Sequence, residues 1–241
     1  MDLEKNYGTG TVDAVSGRNE VLAQGFMQKV YLWMTLGLLA TAAVSYYTAT
    51  SEALIALLFV RYGSVPFITL VVAELGIVMF LSFKVRTMNP ATASVLFFIY
   101  SALNGLTIAP VLIMYTQASV ATTFLVTAGT FGGMSAYGAA TKRDLTDFGS
   151  FLRMGLWGLI IAMLVNLFLR NNTMSYVISG MAVIIFTGLA AYDTQKIRKI
   201  AAESSLGDDV RNNMAVLGAL TLYLDFINLF LHLLKFMGKR R

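Results

Sequence analysis

The sequence predicts an all-α polytopic membrane protein with seven transmembrane helices, and three observations predict it. Of 241 residues, 57% are hydrophobic and only 13% are charged, whereas a soluble domain carries about 25% charged residues. Mean hydropathy is +0.69, so even a sizeable core leaves too little polar surface to cover it in water. The apolar residues also gather into seven stretches, each near the ~20 residues that cross a bilayer. A soluble globular enzyme is excluded, and so is a disordered chain, which needs many charges and few apolar residues.

Residues 1–29 form a polar leader in which Asp2, Glu4, Asp13 and Glu20 stand among Gly, Ser and Asn. It lacks the short basic start of a signal peptide and is expected to be cytoplasmic. The seven-helix domain occupies 30–238, with spans at 30–49, 65–83, 92–115, 120–140, 151–169, 174–193 and 214–236. A shorter run at 53–60 either extends the first helix or lies at the interface. Residues 239–241 are a basic tail. No internal repeat supports an inverted-repeat transporter.

The lysines and arginines set the orientation. With the N-terminus inside, the inner segments carry twelve basic residues, and the outer loops carry only Arg61 and Arg170. Lys235, Lys239, Arg240 and Arg241 then fall outside, against the rule, unless the last stretch re-enters. Its 23 residues reach ~35 Å as a helix, which favours a full crossing. The basic residues are scattered rather than forming one face, so nucleic acid is not an expected partner. The chain has no cysteine, which removes disulfides, thiolate metal sites and thiol catalysis. The single histidine, His232, cannot anchor a multi-histidine centre. No cofactor is expected.

Three of the thirteen acidic residues lie inside apolar spans: Glu74, Asp193 and Asp225. A charge at mid-span costs about 2.5–3.5 kcal/mol even on lenient insertion scales, which makes such acids functional candidates. If the sixth helix continues to about Ile200, Asp193 and Asp225 face each other within the inner half of the membrane. Two carboxylates at ~4 Å repel by about 4 kcal/mol at an effective dielectric of 20. Such a pair shares a proton and acts as one coupled site. The alternative is two unrelated protonated carboxyls, each hydrogen-bonded to backbone, and physics alone does not separate the two.

The segment AAYDTQKI (190–197), followed by LTLYLDFINLFLHLLKF (220–236), resembles the transmembrane Bax-inhibitor-motif family. VTAGTFGGMSAYGAATKRDLTDFGSFL resembles its bacterial members as well, so the likeness covers nearly the whole chain after the leader. It implies seven helices with the last one central, in a bacterial inner membrane. It also implies a pH-sensitive calcium leak gated by an aspartate pair, which falls on Asp193 and Asp225. These two acids would also be the transient calcium ligands, with no catalytic residue and no enzymatic activity. A basic residue at the inner end of the second span latches the pair in the family, and Arg86 or Lys84 is the candidate here. Some bacterial members associate with membrane proteases, which gives a second expectation, a non-catalytic regulator.

Glu74 is not explained by that likeness. It either hydrogen-bonds to a neighbouring helix while protonated, or faces a water-filled pore and concentrates cations. Calcium's need for several oxygens favours the pore. Tyr192-Asp193 with a second aspartate also resembles the intramembrane aspartyl proteases, but the GxGD and PAL elements are missing. A Ser135/His232 hydrolase lacks the second glycine of the nucleophile elbow. Gly129 and Gly133 form a G-x-x-x-G expected to pack helices, and Asn166 and Asn228 are expected to bond between helices. Tyr115 is expected in an interfacial belt, and His232 is read as a polar residue near the outer end of its helix.

Overall fold

The computed structural model describes residues 4–202 and 207–241, with side chains described in these ranges from Leu22 onward. Residues 1–3 and 203–206, and the side chains of the leader up to residue 21, lie outside the described part. Every regular element described is helical. α1 is Glu4–Thr50, α2 Glu52–Ile55, α3 Val65–Lys84, α4 Pro90–Met114, α5 Gln117–Ala140, α6 Thr146–Leu169, α7 Asn172–Ala201 and α8 Asp208–Met237.

No proline interrupts residues 1–50, so the hydrogen-bond ladder of α1 runs from the polar leader into the apolar span without a break. Its apolar part begins at Leu22. Ser51 turns extended and its hydroxyl accepts from Leu54 N, which starts α2. A single π-helical stretch, Ala56–Arg61, follows. The run 53–60 is therefore an exposed connector and does not extend α1. Three later helices, α4, α5 and α7, start where the sequence supplies a side-chain cap. Asn89 accepts from Ala91 N at 2.9 Å, Thr116 from Ser119 N at 3.3 Å, and Asn171 from Met174 N at 3.1 Å.

Six described helices are long and apolar enough to cross a membrane: α1 from Leu22, α3, α4, α6, α7 and α8. The remaining long helix, α5, covers the expected span 120–140 but holds many Thr, Ser and Gly residues and falls short in apolarity. The helices differ sharply in burial. In its most apolar stretch α8 is 72% buried and α7 50%, against 6% for α3 and 11% for α6. α8 is the centre, packed by α7, α1, α5 and α4, while α3 leans on α4 and α6 on α7. The expected ring of six helices around the last one is thus a ring of four with two outriders.

α8 crosses the whole bundle. At its start, Asn213 donates to Met88 O at 2.7 Å, beside the beginning of α4, and Lys29 donates to Asn212 at 3.1 Å. At its end, the tail pairs with the α4–α5 turn. Thr116 N donates to Lys239 O at 3.1 Å and Arg241 N to Met114 O at 3.0 Å. α4 and α8 therefore run parallel from one end of the bundle to the other, and 30 helical residues span ~45 Å. α8 runs as one continuous helix with no re-entrant turn within it.

Two glycines set close helix crossings. A Cβ on Gly105 of α4 would meet the Thr41 carbonyl and Val44 Cβ of α1 at 2.8 Å. One on Gly138 of α5 would run into the Ala191 carbonyl of α7. Gly129 and Gly133 do not pack helices: both are exposed, with nothing within 4 Å of an added Cβ. Their i, i+4 spacing places them on the outward stripe of α5, while the inward stripe is Thr123, Thr127, Phe131, Ser135 and Gly138. The two asparagines also bond locally. Asn166 caps its own helix end by accepting from Asn171 N, and Asn228 donates to Leu224 O one turn back. Tyr115 is buried under Arg240, whose guanidinium is 5.8 Å from its ring centroid, and so leaves the belt.

Candidate functional site

Each residue of 190–196 does a separate structural job on α7. Ala190 and Ala191 are fully packed, which lets α7 lie close to α5. Tyr192 offers its ring to Arg153 of α6, whose guanidinium is 5.1 Å from the centroid. Thr194 hydrogen-bonds Ser135 of α5 at 2.8 Å, and Ser135 continues to Tyr31 of α1 at 2.5 Å. Gln195 accepts from Leu145 N at 2.9 Å and donates to Arg143 O at 2.8 Å, which pins the α5–α6 loop. These contacts fix the stretch of α7 that carries Asp193.

Asp225 comes from a buried turn of α8, flanked by Leu222, Tyr223, Phe226 and Leu229. It is 5% exposed. Its carboxyl lies beside that of Asp193 on α7, within the mutual reach that lets two carboxyls share one proton. The second Asp225 oxygen, Oδ2, is buried with no hydrogen-bond partner. Asp193 is half-buried and borders a small cleft of about 70 Å³ with Lys196, Thr221 and Gly218. The pair therefore has a dry side at Asp225 and a side at Asp193 that opens toward the α7–α8 turn.

The cations that act on Asp193 are Lys196, one turn along α7, and Arg153. Neither expected latch is brought to the pair. Lys84 and Arg86 are exposed around the α3–α4 turn, because α3 is an outrider held by α4 and does not reach α7. Arg153 is the residue that sequence reasoning missed. It counts there only as an orientation charge, since nothing in a linear sequence places α6 against Tyr192.

Glu74 is also separate from the pair. Both of its oxygens are taken by α4, from Thr107 at 2.9 Å and Asn104 at 3.3 Å. Asn104 accepts in turn from the Tyr223 hydroxyl of α8 at 3.0 Å, and Tyr223 meets Thr41 of α1 at 2.6 Å. The structure thus places Glu74 in an interhelical network. His232 stacks on Phe186 and approaches Ser179 at 3.4 Å, without reaching Asp225. Ser135 is committed to Tyr31 and Thr194, so no Ser135/His232 couple forms. Among the described residues no group of three or more His, Asp or Glu side chains gathers to hold a metal. The aspartate pair offers two carboxyls that lie together.

The geometry can be set beside known proteins. Residues 23–241 match the family model described as Inhibitor of apoptosis-promoting Bax1. The chain is 47% identical over 219 residues to inner membrane protein YbhL of Escherichia coli K12, covering 90% of this chain and 93% of that one. It is 45% identical over 233 residues to an uncharacterized protein of Borreliella burgdorferi, covering 95% and 99%. An uncharacterized protein of Caulobacter vibrioides is 44% identical over 225 residues, covering 90% and 89%.

Proposed function

The chain belongs to the Bax inhibitor family, and on that premise we propose that it is a pH-sensitive calcium leak of the bacterial inner membrane, gated by Asp193 and Asp225. The observation that carries the reading is that two carboxyls contributed by neighbouring helices lie side by side in a largely apolar bundle. With one proton between them, the pair ties α7 to α8 and carries a single charge. When the proton leaves, two like charges at ~4 Å repel by about 4 kcal/mol at an effective dielectric of 20. The tie is lost, and the helices that bear the pair separate.

Calcium prefers oxygen ligands and needs several of them. Two carboxylates supply part of a coordination shell, which suits an ion in passage, with water completing the shell. Arg153 and Lys196 stand beside Asp193, so a cation leaving the pair meets positive charge before it reaches the surface. We assign the end of the bundle holding the α7–α8 turn to the cytoplasm, because most of the basic residues are at that end. On this assignment all seven long helices, α5 included, cross the membrane and the N-terminus is cytoplasmic.

Calcium flux into dye-loaded proteoliposomes of the purified protein, followed from acidic to alkaline pH, tests the reading. Flux should rise with pH in the wild type. Asp193→Asn and Asp225→Asn should each remove most of that dependence. Wild-type pH dependence in both variants would reject the gate, and absence of flux at every pH would reject the channel.

A further inference from the structure

At the end of the bundle away from the α7–α8 turn, helices α6, α7 and α8 enclose a cavity of about 520 Å³. Its polar lining is Asn166, Arg170, Ser175, His232 and Lys235. No aspartate or glutamate lines it, and the only acidic residue in the connections at that end is Glu52, on α2. Lys235 is aimed by a hydrogen bond that its ammonium donates to Ser175. Arg170 ends α6 in the left-handed conformation, with φ 52°, where glycine or asparagine is cheaper. An arginine there carries a conformational cost, and its side chain lines the cavity. Below the cations, Met163, Leu167 and Phe168 continue the wall, and Phe168 is 84% exposed on the face turned to lipid.

We propose that this cavity binds the phosphodiester of an anionic phospholipid, with the glycerol and upper acyl chain against the α6 wall. Two cations, a serine and an asparagine line a space whose α6 wall also carries the apolar, exposed Leu167 and Phe168. A phosphate suits this set, since Arg170 offers a planar fork and Lys235 a compact charge. The same chemistry explains why basic residues persist at the end that the orientation rule would clear of them. Lys239 and Arg240 extend the positive field beside the mouth, where the tail pairs with the α4–α5 turn. An anionic headgroup is favoured over a choline headgroup, because the choline cation would face that field.

Native mass spectrometry of the purified full chain in mixed micelles tests this, with phosphatidylglycerol and phosphatidylcholine supplied in equal amounts. One phosphatidylglycerol should be retained in preference. Arg170→Asn keeps the left-handed cap, and both it and Lys235→Gln should weaken retention about tenfold. Arg61→Gln, at the same end but outside the cavity, should leave it unchanged. The Arg170→Asn result stands alone if Lys235→Gln unfolds. Equal retention of the two lipids, or unchanged retention in Arg170→Asn, overturns the proposal. Binding of inorganic phosphate by the delipidated protein, without lipid preference, would assign the cavity to a soluble anion and overturn the lipid assignment.

Discussion

Gly138 and Gly133 lie five residues apart on α5, and alanine at the two positions should act in opposite directions. At Gly138 a Cβ would run into the Ala191 carbonyl and lie 2.8 Å from its carbon and 2.9 Å from its Cα. These are backbone atoms of the most tightly packed stretch of α7 and cannot rotate away. Overpacking of this kind costs about 1–3 kcal/mol. Against it stands the helix-propensity gain of alanine over glycine, up to about 1 kcal/mol. The net expectation for Gly138→Ala is a loss of roughly 1–2 kcal/mol. Gly133 has nothing within 4 Å of an added Cβ, so Gly133→Ala should be neutral or gain up to about 1 kcal/mol. Reversible unfolding in mixed micelles, read by circular dichroism, measures both. Equal stability of the two variants would refute the close α5–α7 crossing on which the placement of Asp193 depends.

The Glu74–Asn104–Tyr223 network should behave as one unit. Tyr223→Phe leaves Asn104 without its α8 donor and should cost about 1–3 kcal/mol, and a double-mutant cycle with Glu74→Gln should show coupling of about 0.5–3 kcal/mol; strict additivity would mean that the network is not connected. Asp144, in the loop after α5, is held down at about 2, first by the Lys199 ammonium that donates to it at 2.7 Å and then by Thr146. Its contribution is complete above its ordinary value of about 4 and disappears as pH falls toward about 2. The melting temperatures of wild type and Asp144→Asn should therefore converge across that acid window and differ above it, and a constant difference would contradict the tie. Because the chain has no cysteine, single cysteines report topology without background. An impermeant reagent should label Asn171→Cys from outside intact cells and Gly207→Cys only after lysis, and the reverse pattern would invert the orientation.

The sequence carries the all-helical class and the approximate helix limits through apolar run length, and the family resemblance carries the central place of the last helix. The two acids stand out because they interrupt apolar helices that end and start on the same side, while their pairing comes from the family resemblance. What escaped depends on rotation about helix axes. Gly129 and Gly133 have the right spacing for helix packing, yet they face outward, and the packing glycine of that helix is Gly138. Glu74 looks solitary in the sequence, but Thr107 and Asn104 arrive from α4 at matching depth. Arg153 reaches Tyr192 only because α6 leans on α7, while Lys84 and Arg86 are carried away on an outrider. The sequence marks which residues are unusual, and packing decides which of them meet.

The central claim is that Asp193 and Asp225 hold one proton between them and open when it leaves. Infrared difference titration of the protonated carboxyl band, with aspartate isotopically labelled, tests it directly in the reconstituted protein. The wild type should show one shared-proton signal, lost over the same pH range in which calcium flux rises. In Asp193→Asn and Asp225→Asn the remaining carboxyl should titrate alone, in a different range from the pair. A wild-type spectrum equal to the sum of the two single variants, or a shared proton that persists while flux rises, would contradict the account.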